Sequence, residues 1–236
     1  MTVNQPYESP ALWAITGPAI RPGGIGLTRR AARFCCLKAG DRVLDVGCGA
    51  GASVDFLKSE FQAKAIGVDQ APLLLAEARR RDPGLPVIRG NAFALPVKAE
   101  RCTAVFYECV LSLLTDPGRA LNECYRVLRP GGFVIVTDIY QRAKTLGSDL
   151  TANARGSLEG SVSRDILEQR AAAAGFALCL WEDHSHLLKE LAARLVWAGI
   201  SLAEFWGVDC FRAAGLKQQR SGYFLLVAKK GGQPHG

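Results

Sequence analysis

At 236 residues, with 49% hydrophobic and 22% charged side chains, the chain has the size and composition of one large globular domain or two small ones. Wholesale disorder and fibrous repeats are excluded, and no apolar run approaches the roughly 18 to 20 residues that crossing a bilayer requires. A formal charge of +7 permits an anionic partner without requiring one. Met1 to Pro10 carries neither a basic n-region nor an apolar h-region, which predicts no secretory signal and a cytoplasmic protein. The eight cysteines contain no C-x-x-C pair, so they are expected as buried free thiols rather than a disulfide framework or a structural zinc site.

The first forty residues stand apart, with Tyr7, Trp13, several prolines, Gly23-Gly24 and a basic helix start at Thr28 to Arg33. From there strands alternate with amphipathic helices, the pattern of a parallel α/β sheet. Strands are predicted at Arg42 to Val46, Lys64 to Val68 (ending at Asp69), Pro86 to Arg89, Thr103 to Tyr107 and Phe133 to Thr137. Helices are predicted at Ala52 to Phe61, at Pro72 to Arg81 and after Asp116-Pro117, the last ended by Pro130-Gly131-Gly132. Residues 141 to 162 read as loop, and Ser163 caps a helix through Ala174. Ala177 to Trp181 and Tyr223 to Ala228 are the sixth and seventh strands; the interval between them is too long for a turn. Leu187, Leu191, Leu195, Leu202 and Trp206 recur on one face there, which predicts a long helix.

The chemistry is carried by the stretch from Val43 to Gly51, a strand running into a turn with Gly47, Gly49 and Gly51 and then a helix. Such a turn after the first strand is where doubly wound folds bind nucleotides. Asp69 follows Gly51 by eighteen residues at a strand end, where a carboxylate can accept bonds from both ribose hydroxyls. Together these indicate an adenosine-containing ligand. A nicotinamide dinucleotide is one candidate, but Asp45 would repel a pyrophosphate and suits the ammonium of an amino acid.

In order, Asp45 to Gly51, Gly67-Val68-Asp69, Gly90 to Pro96, Glu108 to Leu111 and Arg126 to Gly132 resemble the motifs of class I S-adenosylmethionine (SAM)-dependent methyltransferases of the type-11 group. That group includes quinone-biosynthesis and arsenite methyltransferases, and the resemblance is strong over about residues 38 to 138. It implies a Rossmann-like doubly wound sheet of about seven strands, the last antiparallel, with SAM as cofactor. It also implies a single domain: a lid over residues 1–37, a SAM-binding core at 38–140 and a helical cap at 184–221. Carried over, Asp45, Gly47, Cys48, Gly49 and Gly51 surround the methionine moiety and Asp69 holds the ribose. Gln70, Asn91, Ala92 and Phe93 surround the adenine, with Asn91 where the family usually has Asp. Tyr107, Glu108 and Cys109 end the fourth strand, where the family offers backbone to the cofactor and faces the acceptor. Because the sulfonium is already electrophilic, the protein mainly aligns a nucleophile with the carbon–sulfur bond.

Candidate catalytic residues are therefore Glu108, Cys109 and His184, the last within Trp181 to His186 at the end of the sixth strand. That loop also reads as a helix cap, with Asp183 or Ser185 at the N-cap. Cys35, Cys36 and Cys109 converging would suit a thiophilic metalloid acceptor; singly buried thiols are the alternative. A small-molecule acceptor is expected and nucleic acid is not, because Arg79 to Arg81 suit a helix C-terminus and no stacking motif accompanies them. Ile20 to Gly24 is either a hinged lid or a structural arm. The helix after the sixth strand is either a cap over the acceptor or a homodimer contact. A SAM-binding sensor or partner without catalysis is the other function consistent with the motifs.

Overall fold

The computed structural model describes residues 17, 19–142, 162–200 and 221–231. In chain order these form α1 (Gly24–Phe34), β1 (Arg42–Val46), α2 (Ala52–Phe61), β2 (Lys64–Asp69), α3 (Pro72–Arg81), β3 (Val87–Arg89) and β4 (Cys102–Glu108). A 3-10 turn (Leu111–Leu113), α4 (Pro117–Val127), β5 (Leu128–Gln141), α5 (Arg164–Ala173), β6 (Phe176–Asp183), α6 (Ser185–Trp197) and β7 (Ser221–Lys230) follow.

The strands make one seven-stranded sheet in the order β3-β2-β1-β4-β5-β7-β6. β7 runs antiparallel to both β5 and β6, so β6 points the same way as β1 to β5. The strand order reverses between β1 and β4, which pair in register from Val43 with Ala104 to Val46 with Tyr107. Strand periodicity sorts the core into two layers. Leu44, Val46, Val105, Tyr107 and Val136 face α4 and α5, while Val43, Ala104, Phe106 and Ile135 face α1, α2 and α3. A sheet covered on both faces explains why β4 is buried along its whole length.

Local signals account for most boundaries. Asp116 accepts the Arg119 N–H at 2.9 Å and Pro117 occupies the first turn of α4. Three arginines close α3. Four differences from the sequence reading have physical causes. α1 begins at Gly24 rather than near Thr28, because its buried stripe is Leu27, Thr28, Ala31 and Ala32. β5 runs on to Gln141, since every residue from Phe133 to Gln141 has a partner on β7. Ser163 stands at the N-cap of α5 but its side chain makes no capping bond. α6 stops at Trp197, with Leu191 and Leu195 buried beneath it and Trp197 94% exposed. The expected positions Tyr7, Trp13, Leu202 and Trp206 lie outside the described residues, as does most of the 141–162 loop.

Candidate functional site

The site lies at the C-terminal ends of β1, β2 and β4, at the reversal of strand order. β1 ends in the glycine turn. There Gly47 N–H and Cys48 N–H both donate to the Val68 carbonyl, at 2.7 and 3.2 Å, which ties the turn to β2. Gly47 has φ +74°, and a Cβ on it would meet Val110 Cγ2 at 2.3 Å. Gly49, at φ +53°, differs: a Cβ there would find only Leu74 Cδ1, at 4.0 Å. The space over Gly49 is thus open to a ligand's close approach. Gly51 ends the turn as the residue before α2, and the Cys48 thiol is buried beneath, pushed up in pKa by burial and then by Asp45 and Asp69.

Asp69, at the end of β2, accepts the Gly49 N–H through one oxygen and the Ala71 N–H through the other, both at 2.8 Å. A carboxylate has about four lone-pair sites, so two remain for a ligand's hydroxyls. Gln70 beside it is exposed. After β3, Asn91 Oδ1 accepts the Phe93 N–H at 2.9 Å, a local turn that sets Ala92 inward and leaves Phe93 half-buried. The predicted ribose and adenine residues are therefore gathered around neighbouring strand ends, and Asn91 holds a turn as well as offering an acceptor.

Asp45 and Glu108 form an acidic corner on the other side of the turn. Asp45 is 2% exposed, and its pKa is pushed well above the usual carboxylate range by burial first and then by Glu108; Arg21 opposes the shift. Glu108 is fully engaged. Its Oε1 accepts the Thr28 hydroxyl at 2.8 Å, its Oε2 accepts Ser53 Oγ–H at 2.5 Å, and the same Oε2 is ion-paired with Arg21 Nη2 at 2.8 Å. Both oxygens of this candidate base thus hold the segment before α1, α1 itself and α2 together. Arg21, Thr28 and Ser53 are site residues that sequence reasoning missed; Thr28 lies eighty residues from Glu108, and its only sequence signal is a hydroxyl on the buried face of an amphipathic helix.

Cys109 follows Glu108 in the left-handed region, at φ +60°. Its Sγ lies 3.1 Å from the Tyr223 hydroxyl, among Leu27, Ile139, Leu187 and Leu188. Burial, with Asp138 adding to it, pushes the thiol up to about 12, so it is not a thiolate at neutral pH. Asp138, at the end of the parallel part of β5, accepts Ser112 N–H at 2.9 Å, Ser112 Oγ–H at 2.7 Å and Ile139 N–H at 2.8 Å. His184 occupies the N-cap position of α6, its Nε2 2.9 Å from Glu182, which also takes Arg30 Nη2–H at 2.6 Å. Asp183 accepts both the backbone N–H and the hydroxyl of Ser185, so the two expected cap residues bond each other beside the cap position. Cys35 packs in the α1 layer of the core and Cys36 is exposed; neither joins Cys109, and no cluster of three metal-ligating side chains is present among the described residues.

Residues 44–136 match the family of methyltransferase domains. This stretch is similar to a methyltransferase domain. The chain is also similar to proteins of several kinds. The chain is 31% identical to a Mycolicibacterium smegmatis protein named "Probable S-adenosylmethionine-dependent methyltransferase", over 66% of this chain and 60% of that one. It is 35% identical to an arsenite methyltransferase of Halobacterium salinarum, over 47% of this chain and 30% of that one. The crystal structure of the [4+2]-cyclase SpnF superposes with a TM-score of 0.69 at 27% identity, covering 87% of this chain and 80% of that one. The chain thus matches between 30% and 60% of the curated relatives' length. The matched stretch holds Asp45 to Gly51, Asp69, Gln70, Asn91 to Phe93, Glu108 and Cys109; Arg21, Tyr223 and His184 come from outside it.

Proposed function

We propose that the protein binds SAM across the glycine turn and transfers its methyl group to a small-molecule acceptor. The observation that carries this reading is the convergence of Asp69, the open face of Gly49 and the buried Asp45 at the reversal of strand order. Asp69 then holds the ribose hydroxyls, with Gln70, Asn91, Ala92 and Phe93 around the adenine. Gly47, Cys48, Gly49 and Gly51 line the methionine moiety, and Asp45 takes its ammonium, whose charge offsets the repulsion between Asp45 and Glu108.

Transfer is an in-line displacement: an acceptor lone pair forms a bond to the methyl carbon, and the carbon–sulfur pair leaves on sulfur to give S-adenosylhomocysteine. The chain's own part is to orient the two reactants and exclude water. With Glu108 held by two hydroxyl donors and an ion pair to Arg21, and Cys109 kept as a thiol, neither suits a general base. His184, held by Glu182 at the end of β6, is the remaining candidate, needed only for an acceptor that must lose a proton early. Residues 1–37 serve as lid and 184–221 as cap on one domain. α1 and α6 support this by meeting around Cys109 and Tyr223 in one apolar cluster, which favours a partly apolar acceptor. A cytoplasmic location is part of the proposal, supported by single cysteines packed in the core. So is a homodimer contact through Val196 and Trp197 on the outer face of α6. A metalloid acceptor loses its support with the separation of Cys35 and Cys36 from Cys109.

A second reading is a SAM-binding protein that does not transfer the methyl group, favoured by the fold's likeness to a [4+2]-cyclase. Incubation with SAM and fractionated small-molecule extract separates the two. Formation of S-adenosylhomocysteine dependent on the extract supports methyl transfer; SAM bound and recovered intact from every fraction supports the second reading.

A further inference from the structure

The edge of the sheet opposite the glycine turn carries a row of positive charge. Lys64 opens β2, Arg42 opens β1, Arg101 immediately precedes β4, Arg129 stands near the start of β5 and Lys229 near the end of the antiparallel β7. These five strands are consecutive in the sheet, and all five side chains are exposed. With strands about 4.8 Å apart, the row extends over about 19 Å. Arg42 and Lys64 are direct register partners. Among the described residues, the side chains of Lys64, Arg42 and Arg101 meet no acceptor. Arg129 is 3.9 Å from Asp41, Lys229 lies over the Phe133 ring, and Glu100 turns to Lys230 at 3.7 Å.

Arg79 to Arg81 are the denser basic cluster in the sequence, yet each is engaged. Arg79 donates to the Val87 carbonyl at 3.0 Å, Arg80 pairs with Glu77 at 2.7 Å and Arg81 donates to the Ala50 carbonyl at 3.1 Å. Complementing a helix C-terminus explains those arginines, but not a row that stands on strands. Like charges set side by side on neighbouring strands lower stability, and a partner's anions would relieve that cost.

An acidic helix has the matching geometry. Glutamates three and four residues apart stand about 5 to 6 Å from one another on a helix face, close to the strand spacing. About 19 Å is the length of roughly 13 helical residues. Single-stranded nucleic acid takes aromatic platforms among its cations, whereas Phe133, the ring in this row, is covered by Lys229. We propose that the N-terminal edge of the sheet docks an acidic helix of a partner protein across Lys64, Arg42, Arg101, Arg129 and Lys229. Docking there leaves the C-terminal ends of the strands, where the candidate site lies, open to their own ligands.

Fluorescence anisotropy on the full chain tests this with a labelled alanine-based helix of about four turns carrying glutamates along one face. Wild type should bind it at about 50 mM salt and at least tenfold more weakly at about 300 mM. The triple variant Arg42→Gln, Lys64→Gln, Arg101→Gln should bind at least fivefold more weakly. Removing three exposed cations elsewhere, by Arg119→Gln, Arg164→Gln and Lys189→Gln, should change affinity by less than twofold. Equal weakening by both triples would reduce the effect to net charge, and equal binding of a peptide with the same glutamates scattered around the helix would remove the match of spacing; either overturns the proposal. A single-stranded RNA bound more tightly than the striped helix at about 150 mM salt, and lost in the first triple alone, would assign the edge to nucleic acid instead. Should the first triple not fold, wild-type binding of the striped helix that is absent at low salt, or that is insensitive to salt, overturns the proposal as well.

Discussion

Asp69 accepts the Gly49 N–H through one oxygen and the Ala71 N–H through the other, so one side chain at the end of β2 holds both the glycine turn and the entry to α3. Asp69→Ala should therefore act twice. Loss of charge-assisted bonds to the ribose should weaken SAM by well over tenfold, and loss of the turn's two bonds should lower stability by about 1 to 3 kcal/mol. Calorimetry and urea unfolding measure the two effects separately; full stability together with lost binding would mean that the Gly49 and Ala71 bonds contribute nothing.

Gly47 and Gly49 both have positive φ yet should respond differently to substitution. Gly47→Ala brings a Cβ to 2.3 Å from Val110 Cγ2 and should destabilise the fold by about 2 to 5 kcal/mol, overpacking added to left-handed backbone strain. Gly49→Val has open space around its Cβ and meets only the left-handed backbone strain at φ +53°, so it should cost less stability than Gly47→Ala while removing cofactor binding. Thermal melts with and without SAM distinguish them. Micromolar SAM binding by Gly49→Val would contradict the placement of the ligand.

Removing the Glu108 side chain should cost stability before it costs chemistry. Glu108→Ala leaves the Arg21 guanidinium buried without its carboxylate and strands the Thr28 and Ser53 hydroxyls, at about 3 to 5 kcal/mol. A urea midpoint unchanged from wild type, with turnover lost, would restore Glu108 as a catalytic base.

Asp138 gives the fold a pH dependence with a definite sign. Burial, opposed by the donors from Ser112 and Ile139, raises its pKa from 3.8 to about 6. A raised carboxyl pKa contributes stability fully below about pH 4, and that contribution is lost as pH rises through 6. Asp138→Asn cannot ionise, so the stability of wild type relative to the variant should fall between pH 4 and 7, by about 3 kcal/mol at most. Urea unfolding across that range checks it; a constant difference would contradict the raised pKa.

Strand and helix positions were legible where the local pattern agreed with the tertiary environment. β1, α2 and α3 fall within a residue of the sequence reading, because hydrophobic periodicity and the Gly, Pro and Arg signals mark their ends. β5 was read short: its extension to Gln141 depends on pairing with β7, some eighty residues later in the chain. The site was legible to the same extent. Asp45, the glycines and Asp69 lie within one β-α-β unit, so spacing alone brings them together. Arg21 and Thr28 reach Glu108 from eighty or more residues away in the chain, and nothing local to an Ile-Arg-Pro stretch marks an arginine as buried. The cysteines were readable as single buried thiols at Cys48, Cys102 and Cys124 but not at Cys179, which is exposed on the edge strand β6, and whether Cys35 and Cys36 meet Cys109 is a question of layers that spacing does not answer.

The central claim is that this glycine turn and its two carboxylates bind an adenosine joined to an amino acid rather than to a pyrophosphate. Side-by-side calorimetric titration of the full chain with S-adenosylhomocysteine and with NAD tests it most directly. Micromolar one-to-one binding of S-adenosylhomocysteine with no heat from NAD is the predicted result; NAD binding as tightly or more tightly would contradict the account.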